Sequence, residues 1–177
     1  MIRLGSLLLA ATLLSTTLLT TEAVYAEEIQ PTLLHLHLGY KLKDVQLIYP
    51  PSKDQPVWPS YIEPRGHLER VRVEQSYLKK PIKNVDMVWL GFKSGRLVEI
   101  HVIYDAAYTR SHSVDSIAGD WATIYGEPRR TDDGRYWWSD GSTVLRVFAA
   151  ELPTKAEGTE LRTSVQVFEQ DVFQRVD

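Results

Sequence analysis

An α+β domain is what this sequence predicts: one antiparallel sheet of six to seven strands, with two helices packed on one face. Three observations carry that expectation. Apolar residues recur every three or four positions in two segments, and alternate with polar residues in seven others. Two of the joins between strand-like segments, Ser94-Gly95 and Asp140-Gly141, have the length and residue types of hairpin turns.

The chain opens on a leader-like segment. Arg3 gives a short basic start, Leu4 to Leu19 run apolar, and Ser15, Thr16, Thr17 and Glu22 interrupt the run before it reaches spanning length. Val24 and Ala26 stand at the −3 and −1 positions of a small-residue cleavage site. The expectation is a signal peptide over 1–26, cut after Ala26, and a single domain over 27–177 without a membrane span, in the periplasm or secreted.

The first strand is read over Leu34 to Leu38, where leucines alternate with His35 and His37. After Gly39, Leu42, Val45 and Ile48 fall at helical spacing, and Tyr49-Pro50-Pro51 stops the helix. Pro50 to Gly66, rich in proline and holding Trp58 and Tyr61, reads as one long loop. Val71, Val73 and Tyr77 alternate with charged or polar neighbours as a strand with one wet face. Met87 to Phe92 and Leu97 to Tyr104 form a hairpin about Ser94-Gly95. In its second strand Val98, Ile100, Val102 and Tyr104 point one way and Glu99 and His101 the other, into solvent.

The second helix carries Val114, Ile117, Ala118, Trp121, Ile124 and Tyr125 as an apolar stripe. Ser113 is its N-cap, Asp115 suits its first turn, and Gly126 with Pro128 ends it. Arg135 to Ser139 and Thr143 to Ala149 form a second hairpin through Asp140-Gly141, and Leu161 to Glu169 closes the set. The two halves, about 34–104 and 113–170, share an order of helix then three strands, which reads as a degenerate tandem αβββ repeat.

Leu38-Gly39-Tyr40-Lys41-Leu42-Lys43-Asp44-Val45, the Tyr-Pro helix end and the Tyr125-Gly126-Glu127-Pro128 close of the second helix together resemble exported modules of the SmpA/OmlA (BamE) type and the β-lactamase-inhibitor-protein-like fold. That resemblance implies helices on an antiparallel meander. It also implies action by binding other proteins, in envelope assembly or enzyme inhibition.

Composition narrows the function. The 20 basic and 23 acidic residues give a net charge of −3, and Lys79, Lys80, Lys83 and Arg129-Arg130 are too scattered for a nucleic-acid stripe. With no cysteine, neither a disulfide framework nor a thiol nucleophile is available, so 18 aromatic rings (5 Trp, 9 Tyr, 4 Phe) supply much of the core. No Gly-x-Ser-x-Gly elbow, phosphate-binding glycine loop or His-Glu-x-x-His pair occurs. His35 and His37 read as solvated surface histidines and no metal is expected; as ligands they would be half of a site, needing His67, His101 or a carboxylate to complete it. His112, Ser113 and Asp115 read as a helix start, and Asp132, Asp133 and Asp140 as turn chemistry.

Tyr136-Trp137-Trp138 lie consecutively on a strand, so alternation sends Trp137 to the face opposite its neighbours. Trp58 and Tyr61 are the expected shield over that ring. The sequence thus points to a non-catalytic, cofactor-free module that binds an envelope or secreted protein. Its surface would be the helix-free sheet face with the aromatic loop, using Trp58, Tyr61 and Trp137 and rimmed by Glu99, His101 and Arg146. The alternative partner is a cell-wall glycan stacked on the rings, and a hydrolase with carboxylates on separate strands is a third reading.

Overall fold

The computed structural model describes residues 28–63, 68–154 and 158–173. The leader expected over 1–26, Gly66 at the end of the expected loop, and His67 lie outside the described residues. What is described is α+β and antiparallel, built on one eight-stranded sheet.

Where a strand was expected over Leu34 to Leu38, the chain instead makes a small hairpin, β1 (Thr32–Leu33) and β2 (Leu36–His37). Leu34 and His35 form its turn at φ of 51° and 60°. Neither is the Asn or Gly that usually marks a turn with positive φ, so the alternating pattern concealed it. Helix α1 (Leu42–Ile48) follows, with Val45 buried. Its entry is held by the Asp44 carboxylate, which accepts from Lys41 N at 3.0 Å.

The proline-rich segment is not one loop. Pro51 bridges to Leu78, and Ser60–Ile62 forms strand β3 at the sheet edge. Next come β4 (Leu68–Glu74), a 3-10 turn over Gln75–Tyr77 in place of strand at Tyr77, β5 (Val85–Lys93) and β6 (Arg96–Tyr104). Ser94 and Gly95 both take positive φ, 54° and 74°, as the β5–β6 hairpin requires.

A short helix α2 (Ala106–Ser111) was not legible in advance; Asp105 caps it by accepting from Tyr108 N. Helix α3 (Val114–Tyr125) begins on Ser113, whose hydroxyl accepts from Ser116 N at 3.1 Å, and ends at Gly126 with φ of 78°. Ile117, Ala118 and Tyr125 are buried, whereas Ile124, placed in the expected stripe, faces water. The chain closes with β7 (Arg129–Arg130), β8 (Tyr136–Ser139), β9 (Thr143–Thr154), β10 (Gly158–Glu169) and the turn-long α4 (Gln170–Phe173).

Strand order is β3-β4-β5-β6-β10-β9-β8-β7, so each half of the chain contributes four neighbouring strands and the halves meet where β6 pairs with β10. Eight strands replace the six to seven expected, and four per half replace three. The extra strands, β3 and β7, run only three and two residues, too short for a period of two to register.

Register aligns two apolar rows across the sheet. Val71, Leu90, Ile100, Val167, Leu145 and Trp138 stand in one; Val73, Val88, Val102, Val165, Val147 and Tyr136 stand in the other. Val45 of α1 and Ile117, Ala118 and Tyr125 of α3 share one buried cluster with these rows. Each fully buried aliphatic side chain there contributes roughly 1.5–3 kcal/mol of transfer free energy. The sheet residues of opposite parity, from Arg70 to Trp137, belong to none of that cluster. They make a second face.

Candidate functional site

The second face is organised by one row that crosses seven strands. Arg72, Trp89, His101, Gln166, Arg146, Trp137 and Arg129 stand opposite one another in register. At about 4.8 Å per strand the six steps extend about 29 Å. Trp89, Trp137, Arg72 and Arg146 are each half-buried, and Arg129 is exposed. The rings and guanidiniums interleave: Arg129 lies 5.0 Å over the Trp137 ring and Arg146 lies 4.8 Å over Phe168.

Beside this row, two positions along each strand on the same face, stands a charged pair whose acid is shut off from water. Glu99, expected at a solvated rim, is 0% exposed. Arg70 Nη2 donates to Glu99 Oε1, and Gln166 Nε2 donates to the same oxygen at 2.7 Å. Arg70 Nε lies 3.1 Å from Glu63 Oε1, an ion pair without hydrogen-bond alignment. Glu99 Oε2 has no hydrogen-bond partner among the described residues. Burial pushes the Glu99 carboxyl above its ordinary range, with the Arg70 charge pulling the other way.

Gly91 explains how the carboxylate fits. A Cβ at that position would stand 2.7 Å from Glu99 Oε2 and 2.9 Å from Glu99 Cβ, so the strand interior is glycine because Glu99 lies across it.

His101 is held as firmly. Ser164 Oγ donates to the Val102 carbonyl at 3.1 Å, which makes His101 Nε2, 2.5 Å away, the donor to that oxygen. The imidazole lies 5.3 Å from the Phe148 ring. Burial, and then the nearby Arg70 charge, lower its pKa to about 3, so it is neutral at physiological pH. With its proton turned to a carbonyl and a donor rather than a base beside it, Ser164 is not arranged as an activated nucleophile.

The other expected site residues separate. Trp58 is 4% exposed and lies in the core cluster, near Val45, Val73 and Leu90, with Nε1 donating to the Tyr77 carbonyl at 3.3 Å. It is a core residue rather than a shield over Trp137. Tyr61 is 46% exposed on β3, at the end of the sheet away from β8, and meets Trp89 edge-on at 5.9 Å. Trp137 stands opposite in face to Tyr136 and Trp138, as alternation requires.

His35 sits in the β1–β2 turn, and His37 Nδ1 pairs with the adjacent Leu38 carbonyl at 2.5 Å. Among the described residues no three His, Asp or Glu side chains gather as a metal site. His112 stacks on Tyr108 at 4.0 Å, and Ser113 is engaged as the α3 cap. Asp140 accepts from Ser142 N and Thr143 N, both at 2.8 Å, and from Ile29 N at 3.0 Å. Sequence reasoning missed Arg70, Trp89 and Gln166. The isolated Gly91 inside a strand was the available signal of a close approach.

No described helix is long and apolar enough to cross a membrane. Compared with known proteins, the chain matches no family model, no curated protein and no solved structure.

Proposed function

We propose that this chain is an exported, non-catalytic binding module in which the helices clothe one face of the sheet and the other face docks a partner protein. The observation that carries the reading is the seven-strand row with two half-buried tryptophans between arginines, on a face that shares nothing with the core cluster. Trp and Arg are the residue types in which interface energy concentrates. The buried Arg70–Glu99–Gln166 network ties β4, β6 and β10 together, so little conformational freedom remains to be lost on binding. The resemblance to envelope-assembly and inhibitor modules supports the same class of partner. Tyr61 on β3, 46% exposed and in register with Arg70, extends the surface at one edge.

Photo-crosslinking residues placed at Arg72 and Tyr61 test this in the cells that produce the protein, with Lys43 and Leu47 on α1 as controls. The expected result is one discrete protein adduct from the sheet positions only, lost in the Trp89→Ala background. An adduct from α1 alone, or equal adducts from both sides, contradicts it.

A further inference from the structure

We propose that the cleft where β7 stops short is a second binding site, for a neutral pyranose glycan. Strand β7 pairs only with Tyr136 and Trp137, so β8 continues to Ser139 with no described strand on its outer side. The space left there is a cleft of about 620 Å³, bordered by Glu127, Arg129, Trp137, Ser139 and Gln170. That volume falls within the roughly 300–1,000 Å³ typical of small-ligand sites.

The chemistry of the lining selects the ligand class. Glu127 is an exposed acceptor, Arg129 an exposed donor, and neither makes an ion pair among the described residues. Their opposite charges disfavour a strongly charged ligand. Gln170 Oε1 accepts from Ser139 Oγ at 2.7 Å, which fixes the amide and leaves its nitrogen to donate. Sugar hydroxyls both donate and accept, so they are served by such a mixed set.

Arg129 is already oriented by its place over the Trp137 ring, 5.0 Å from the centroid. Its planar fork of N–H groups can span two adjacent hydroxyls with little conformational freedom left to lose. The Trp137 ring beneath the guanidinium adds apolar lining to the cleft. Asp140 also borders the cleft, but its carboxylate is engaged by Ile29, Ser142 and Thr143, leaving Glu127 as the acceptor.

This inference goes beyond the docking reading; the two surfaces share Arg129 and Trp137, and Glu127, which stands outside the docking row, tells them apart. Calorimetric titration of the purified protein with tetramers of β-1,4-linked glucose and of β-1,4-linked N-acetylglucosamine tests it. Saturable binding of at least one sugar is expected, weakened about tenfold or more by Glu127→Ala or Trp137→Ala and unchanged by Leu47→Ser on the far helix. Glu127 is exposed, so its variant keeps the test valid if Trp137→Ala fails to fold. Absence of saturable binding with both sugars, or wild-type affinity in both cleft variants, overturns the proposal. A protein adduct at Arg72 without sugar binding would remove this site and leave the docking face standing.

Discussion

Removing Arg70 should cost far more than removing the acid it serves. In Arg70→Met the Glu99 carboxylate, 0% exposed, keeps only the Gln166 amide at 2.7 Å. Leaving one partner of a buried ion pair uncompensated costs about 3–5 kcal/mol. In Glu99→Met the stranded groups are better off: Arg70 still has Glu63 at 3.1 Å and some solvent, and only Gln166 loses a buried partner. That loss is about 1–3 kcal/mol.

The double variant should therefore resemble Glu99→Met alone, and a double-mutant cycle by urea denaturation at pH 7 should give a coupling of about 3–5 kcal/mol, the whole of the Arg70→Met cost. The pH dependence has a definite sign. Burial already raises the Glu99 pKa, and losing Arg70 raises it further, so the folded state of Arg70→Met gains stability from protonation at low pH and loses it as pH rises. The Arg70→Met deficit should accordingly be smaller at pH 5 than at pH 7. Additivity of the two single variants within about 0.5 kcal/mol, or a larger deficit at pH 5, would refute the reasoning.

Three further outcomes follow from the same geometry. His101, lowered to about 3 by burial, should contribute stability that is complete above about pH 6.5 and is lost as pH falls toward 3. In urea titrations between pH 6.5 and 4, His101→Phe should flatten the acid slope by up to about 1 kcal/mol per pH unit; identical slopes would contradict the assignment. Gly91→Ala should lower stability by about 1–3 kcal/mol in thermal melts, since the clash is with Glu99 Cβ as well as its carboxylate. Trp58→Ala should cost about 3–5 kcal/mol as a core truncation, whereas Tyr61→Ala should stay within about 1 kcal/mol.

Much of the fold was legible because the signals were local. The Ser94-Gly95 and Asp140-Gly141 turns, the Ser113 cap and the Gly126 stop each depend on a few neighbouring residues. The edge strands were not, because Ser60–Ile62 and Arg129–Arg130 run only three and two residues, too few for alternation to register. The face of Glu99 and His101 was predicted correctly, while the full burial of Glu99 and the half-burial of His101 were not. Alternation gives the direction of a side chain; that Arg70, Gln166 and Ser164 close over these two depends on the pairing of β4, β6 and β10. Trp58 misled for the same reason: a proline-rich context suggested an exposed loop, yet its ring is packed against Val45, Val73 and Leu90.

Hydroxyl-radical footprinting gives the most direct test of the docking surface. Oxidation rates at Met87, Trp89, Trp137 and Phe148 would be compared between the purified protein and the protein within extract of its own cells. Slower oxidation at these four in extract, with unchanged rates at Leu47 and Ile124 on the helices, is the predicted result. Equal rates at all six positions, or protection confined to the helices, would contradict a partner on the second face.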